Sequence, residues 1–263
     1  KHFKKSLYWA CIERRILRDA HGVLFTCDEE RRLAQRTFYG YRANEIVTGY
    51  GISQPTGDPA VQSESFLKAF PALRGRRILL FMGRIHEKKG CDLLIQAFAH
   101  FACVDPDLRL VIAGPDDSGQ RATLESLCRG LGVAERVLWT GTLSGDQKYG
   151  ALRCAEVFVL PSHQENFGIA VVEAMACGVP VLISDKVNIW REITEDHAGL
   201  VADDTLAGTT RLLQDWLEMT PAGRNRLATN AAGCFQRRFH NEAAARALVS
   251  VIERGGKERR RVA

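Results

Sequence analysis

The sequence predicts an α/β protein built on a doubly wound parallel sheet. Three observations carry that prediction. From residue 76 onward, six short and nearly all-apolar runs recur: RILLFMG, LRLVIAG, RVLWTG, EVFVLPS, PVLIS and GLVA. Stretches with helical spacing lie between and after them: CDLLIQAFAHFA, RATLESLCRGLG, GDQKYGALRCA, IAVVEAMACG, VNIWREIT and TLAGTTRLLQDWL. Polar and glycine-rich segments (GRIHEKKG, GPDDSG, GTLSGD, PSHQENFG) follow the first four runs directly. Strands apolar on both faces belong to a sheet covered on both sides, and their alternation with helices makes the sheet parallel. In such sheets ligands bind beyond the carboxyl ends of the strands, where the polar segments fall.

Upstream, residues 3 to 20 place Leu7, Trp9, Cys11, Ile12, Ile16 and Leu17 at helical spacing among five basic residues, which predicts an amphipathic helix with a basic wet face. GVLFTC is a short strand, Asp28 is the expected N-cap of the helix EERRLAQRTF, and EIVTGYGI is a strand running into a glycine turn. Residues 53–75, rich in Pro, Ser and Gly without a clean period, are the expected interdomain linker. PAGRNRLATNAAGCFQRRF and NEAAARALVSVIERGG read as two terminal helices, the second ending in the basic tail GGKERRRVA, expected as a frayed solvated end.

With 263 residues, 46% hydrophobic and 25% charged, the chain has the composition of a soluble globular protein rather than a disordered one. No apolar run approaches the roughly 20 residues that span a bilayer. The opening KHFKKSLYWACIERR has neither a starting Met nor a long apolar segment, so a signal peptide is not expected and the chain reads as processed or as part of something longer. The eight cysteines are scattered without CxxC or Cys/His metal spacing, as expected of reduced cytoplasmic thiols. A net charge of +5 suits an anionic small ligand, and no nucleic-acid-binding motif accompanies it. The basic first helix and tail permit contact with an anionic membrane surface.

Two constellations carry chemistry. After RILLFM come Gly83 and Arg84, then Lys88, Lys89 and Gly90 opening the next helix. A strand, a glycine turn and a helix N-terminus bind anions through backbone amides, and Arg84 and Lys89 can converge there on a diphosphate. The same residues also fit a basic surface loop. Neither GxxxxGK[ST] nor GxGxxG is present, which counts against a Walker loop and a dinucleotide site. In HQENFGIAVVEAMACGVP, Glu165, Asn166, Phe167 and Gly168 form a strand-to-helix turn, and Glu173 follows eight positions after Glu165. If both were helical, the two would stand roughly 80° apart in azimuth and about 12 Å apart along the axis. Such carboxylates can grip two separate diols, although Glu173 also fits a partly exposed charge on a mostly buried helix.

The run ENFGIAVVEAMACGVPVL resembles the E-x7-E signature of the retaining glycosyltransferases of family 4, and GRIHEKKG resembles their G-R-x4-K-G phosphate loop. VLWTGTLSGDQKYGALRCAEVFVLPS, ERRILRDAHGVLFTCDEE and the YGI turn match the same family, so the resemblance covers nearly the whole chain. It implies the GT-B fold, two Rossmann-like domains facing across a cleft. Residues 1–52 would end the N-terminal, acceptor-side domain, 76–240 would form the donor-binding domain, and 241–263 would be a terminal helix and basic tail. Most of the acceptor half would lie outside this chain, leaving it inactive alone.

By resemblance, Arg84 and Lys89 with Gly83 hold the donor diphosphate, and Glu165 with Asn166, Phe167 and Gly168 holds the transferred sugar. Glu173 holds the ribose and Leu143 lies against the base. Many members have Gly where this chain has Asn166, and the family's glycine-rich N-terminal loop and its His near the reaction centre have no counterpart here. The catalytic set implied is Arg84, Lys89 and Glu165, with no metal and no cofactor beyond the nucleotide-sugar substrate. The acceptor would be a glycan or a lipid-linked molecule, and the location cytoplasmic or at the inner membrane face. The eight-residue spacing argues against a retaining-glycosidase pair, whose carboxyls stand about 5 Å apart. A nucleotide-sugar binding module without catalysis, and a GT-B phosphorylase or sugar-phosphate synthase, share the same signals.

Overall fold

The computed structural model describes residues 2–37 and 39–262, without the side chains of residues 2, 3 and 254–262. The chain forms two compact units, Lys1–Ser53 with Arg238–Ala263, and Gln54–Arg237.

In the first unit, α1 (His2–Tyr8) passes through a π-helical turn at Trp9–Glu13 into α2 (Arg14–Asp19). Trp9 anchors this helix: it is buried, donates its indole N–H to the Tyr39 carbonyl at 3.2 Å and stacks on Tyr41. The amphipathic expectation holds only in part, because Leu7, Ile12 and Ile16 are exposed. Strands β1 (Val23–Phe25) and β2 (Glu45–Val47) pair in parallel around α3 (Asp28–Thr37). Asp28, expected as the N-cap of α3, instead lies within its first turn and accepts hydrogen bonds from Arg31 and Arg32, both at 2.6 Å. Glu30 reaches back to the backbone N–H and hydroxyl of Thr26, so the terminus is closed from the other direction.

The second unit opens on a correction. Residues 53–75, expected as a linker, contain helix α4 (Pro59–Ala69) and a 3-10 turn at Pro71–Leu73. The helical period was obscured because α4 buries Gln62, 1% exposed, while Val61 is 59% exposed. Phe66 is fully buried against α7 (Gly145–Cys154). Gly150 lets the two helices touch, since a side chain there would overlap the Gln62 carbonyl. Asp58 caps α4, accepting from the amides of Ala60 at 2.7 Å and Val61 at 3.2 Å. Asp58→Ala is expected to lower stability by about 1 kcal/mol, read as a lower urea midpoint at unchanged slope.

Strands β3 (Arg77–Met82), β4 (Leu108–Ala113), β5 (Val137–Gly141), β6 (Val157–Leu160), β7 (Val181–Ser184) and β8 (Gly199–Ala202) form one parallel sheet in the order β5-β4-β3-β6-β7-β8. All six expected strands are present. Leu79, Leu80, Phe81, Val111, Val159 and Ile183 have no solvent exposure, as a sheet covered on both faces requires. The helices are α5 (Cys91–Ala102), α6 (Arg121–Gly130), α7, α8 (Ile169–Ala176), α9 (Trp190–Glu195), α10 (Leu206–Glu218) and α11 (Pro221–Cys234). At the amino ends of β3 and β6, Glu156 accepts from Arg77 (2.7 Å), Arg224 (2.5 Å) and the Trp216 indole (3.1 Å), tying α10 and α11 to the sheet.

After a π turn at Phe235–Phe239 the chain forms α12 (Asn241–Val262). Ile52 pairs with His240, and Asn241 donates to the Ile52 carbonyl at 3.0 Å, so the terminal segment from Arg238 groups with the first unit rather than standing apart. The side chains of the basic tail lie outside the described residues. Among the described residues no helix is long and apolar enough to cross a membrane.

All eight cysteines are free. Burial pushes the Cys91 thiol up to about 12 and the Cys177 thiol up to about 11, so these are packing groups rather than nucleophiles.

Candidate functional site

Strand order reverses between β3 and β6, so their following loops diverge and open a crevice. The structure bonds these two loops together. Ser162, fully buried, donates its hydroxyl to the Lys88 carbonyl at 2.7 Å, and the His163 amide donates to the same oxygen at 2.8 Å. Ser184 donates to the Ser162 carbonyl, which ties in the end of β7. The Glu165 amide donates to the Lys186 carbonyl and its own carbonyl accepts from the Asn188 amide, both at 3.0 Å. Glu165 is thus held at its backbone before any ligand arrives.

Two glycines make the close approach feasible. Gly90 has φ +67° and a side chain there would overlap the Pro161 carbonyl, and Gly168 has φ +81° as the residue that opens α8. The Val171 and Val172 amides turn back to the Gly168 carbonyl at 2.9 and 3.2 Å, whereas those of Ile169 and Ala170, the first two of α8, have no partner among the described residues and remain as donors at the crevice mouth.

Around this frame lies a cavity of about 510 Å³ lined by Gly83, Arg84, Lys89, Glu165, Asn166, Phe167 and Gly168, together with Met82, Leu160, Ile169 and Ala170. A neighbouring cavity of about 340 Å³ shares Arg84, Lys89, Glu165 and Asn166 and adds His86, Lys88 and Gln164. The structure therefore brings together seven of the residues singled out from sequence. Leu143, half-exposed after β5, and Glu173, further along α8, do not line either cavity.

The charges are arranged unequally. The Lys89 ammonium pairs with Glu165 Oε2, while Arg84 is exposed and makes no ion pair or hydrogen bond among the described residues. Glu173, whose side chain is 15% exposed, accepts from Lys148 Nζ at 2.8 Å, so the carboxylate inside an apolar helix is a paired one. Burial alone would lower the Lys148 ammonium, but the hydrogen bond and charge of Glu173 outweigh it and hold it above the ordinary lysine value. Each acidic side chain thus has its own lysine, and Arg84 remains open to an anion. Among the described residues no three His, Cys, Asp or Glu side chains gather as a metal site requires.

Lys148 and Asn188, whose amide donates to Asn166 Oδ1 at 3.1 Å, were not found from sequence. Each meets its partner across more than twenty residues of chain, and neither sits in a glycine turn or at a strand end that would mark it.

The chain matches the family described as Glycosyl transferases group 1 over residues 63–233. It is 31% identical over 233 residues to a D-inositol 3-phosphate glycosyltransferase of Nocardiopsis dassonvillei, covering 83% of this chain and 52% of that protein. A protein of the same name from Actinosynnema mirum is 34% identical over 234 residues, covering 84% and 54%. The chain spans about half the length of these curated relatives. Among solved structures, it is similar to sucrose-phosphate synthase from Thermosynechococcus elongatus, with TM-score 0.75, 22% identity and coverage of 97% of this chain and 65% of that one. It is also similar to Anabaena HepE in complex with UDP and glucose, with TM-score 0.79, 17% identity and coverage of 96% and 68%. At these identities the likeness is one of fold.

Proposed function

Because this chain belongs to the group 1 glycosyl transferases, we propose that it is the donor-binding part of a retaining, metal-independent enzyme that takes its sugar from a nucleoside diphosphate. The observation that carries this is the pairing pattern at the β3/β6 crevice: an unpaired Arg84 beside a Lys89 that is already matched to Glu165. A diphosphate entering the crevice finds Arg84 open and the α8 amides facing it. It also competes for Lys89, releasing Glu165 to accept hydrogen bonds from the hydroxyls of the transferred sugar.

In this reading the bond from the anomeric carbon to the diphosphate oxygen breaks as the acceptor oxygen bonds the same carbon on the same face. The acceptor proton passes to the departing phosphate. Arg84, Lys89 and the helix terminus stabilise the charge that builds on the leaving group, which is where fixed positive groups accelerate transfer most. Glu173 meets the ribose and Leu143 the base. The acceptor is a glycan or lipid-linked hydroxyl, and its binding and catalysis need residues beyond this chain. A second reading, transfer to a phosphorylated acceptor, draws on the names of the relatives and of the sucrose-phosphate synthase.

Calorimetric titration of the chain with UDP, GDP and ADP and with the matching monophosphates tests the proposal. One diphosphate is expected to bind at least about tenfold more tightly than its monophosphate, the margin of one charge-assisted hydrogen bond. Binding of none of the three would remove the donor site from this chain.

A further inference from the structure

The donor reading gives Glu173 a task but none to the lysine that partners it. Lys148 donates to Glu173 Oε1, whereas Oε2 of that carboxylate has no hydrogen bond among the described residues and is not closed off from solvent. One oxygen is anchored and the other is open. Lys148 is itself held in place, with its ammonium 4.5 Å from the centre of the Tyr149 ring.

The helix beneath it is fixed at both ends by a single residue of α4. Gln62 donates to Asp146 Oδ1 in the first turn of α7 at 3.2 Å and accepts from Arg153 Nε in the last turn at 2.8 Å. Its amide also donates to the Thr56 carbonyl at 2.8 Å, which locks the Gln62 side chain. With Gly150 seated on the Gln62 backbone, α7 has little freedom to slide, so α4 sets where Lys148 stands.

A glutamate has three side-chain torsions to immobilise, and a ligand that must immobilise them binds more weakly than one meeting a preset acceptor. We propose that Lys148 is a positioning residue for nucleotide selection: it presets Glu173 so that Oε2 accepts from a ribose hydroxyl, and so sets the preference for ribo- over 2′-deoxyribonucleoside diphosphates. This rests on the donor reading above, in which Glu173 meets the ribose.

The test compares the chain with its Lys148→Met, Lys148→Arg and Glu173→Gln variants, titrated with UDP, GDP and ADP and the 2′-deoxy counterpart of each. The unsubstituted chain is expected to prefer the ribo form by roughly 10- to 100-fold, the range of one charge-assisted hydrogen bond. Glu173→Gln and Lys148→Met should each bring that ratio below about threefold, while Lys148→Arg, which keeps the charge and donor, should retain most of it. In the Lys148→Met variant the 2′-deoxy form should bind as it does to the unsubstituted chain, which a misfolded site would not allow. The proposal is overturned if Lys148→Met keeps the full ratio while Glu173→Gln loses it. An unsubstituted chain without a preference, or a Glu173→Gln variant that keeps it, instead overturns the ribose role of Glu173 and the proposal with it.

Discussion

Lys89→Ala is expected to weaken nucleoside diphosphate binding more than Arg84→Ala does. Each substitution removes a charge-assisted contact of about 1.5–3 kcal/mol, or roughly 10- to 150-fold in affinity. Arg84 is unpaired, so its loss ends there. Lys89 is the partner of Glu165, whose side chain is 22% exposed, and removing it leaves a bare carboxylate beside the incoming phosphates. Repulsion then adds to the lost attraction. A double substitution Lys89→Ala/Glu165→Gln should regain part of the loss, so the two changes are non-additive as neighbours in one network are. Calorimetry on the unsubstituted chain, Lys89→Ala, Glu165→Gln and the double variant reads the coupling directly. Equal losses for Lys89→Ala and Arg84→Ala, with no recovery in the double variant, would show that Glu165 does not compete with the phosphates for Lys89.

Gly90→Val is expected to be among the most destabilising single changes in the Gln54–Arg237 unit. Gly90 has a left-handed backbone, which costs a β-branched residue at least about 1–2 kcal/mol. The new side chain would also overlap the Pro161 carbonyl, at the point where the β3 and β6 loops meet. The loops would have to part, breaking the contacts of Ser162 and His163 with the Lys88 carbonyl. A total above about 3 kcal/mol is expected, with nucleotide binding lost at temperatures where the fold survives. Gly119→Val is the control: it shares φ near +69° but has nothing within 4 Å of its added carbon, so it should show the backbone cost alone. Urea midpoints that fall equally for both variants would mean the loops are not held by this close approach.

Much of this architecture was legible in the sequence for a physical reason. Strands buried on both faces have to be apolar throughout, so each announces itself without reference to its neighbours, and Arg84, Lys89 and Glu165 stand in the polar loops that follow them. Strand order was not legible, because β3 pairs with β4 and β6 through contacts that no local pattern encodes. Helix α4 was missed because it inverts the usual signal, burying Gln62 and exposing Val61. Lys148 was missed because its partner lies on another helix, and a lysine in the first turns of a helix looks like any solvated one. From sequence Glu173 is a charge on a mostly buried helix with no visible partner, and only the structure shows that a cation answers it.

The most direct measurement is a crystal structure of the chain with the tightest-binding nucleoside diphosphate. The account predicts the phosphates against Arg84 and the first amides of α8, Lys89 drawn away from Glu165, and the ribose 2′-hydroxyl on Glu173 Oε2 with Lys148 still on Oε1. A nucleotide seated instead in the cavity bordered by His86, Cys91 and Gln120, with the Lys89–Glu165 pair intact, would contradict it.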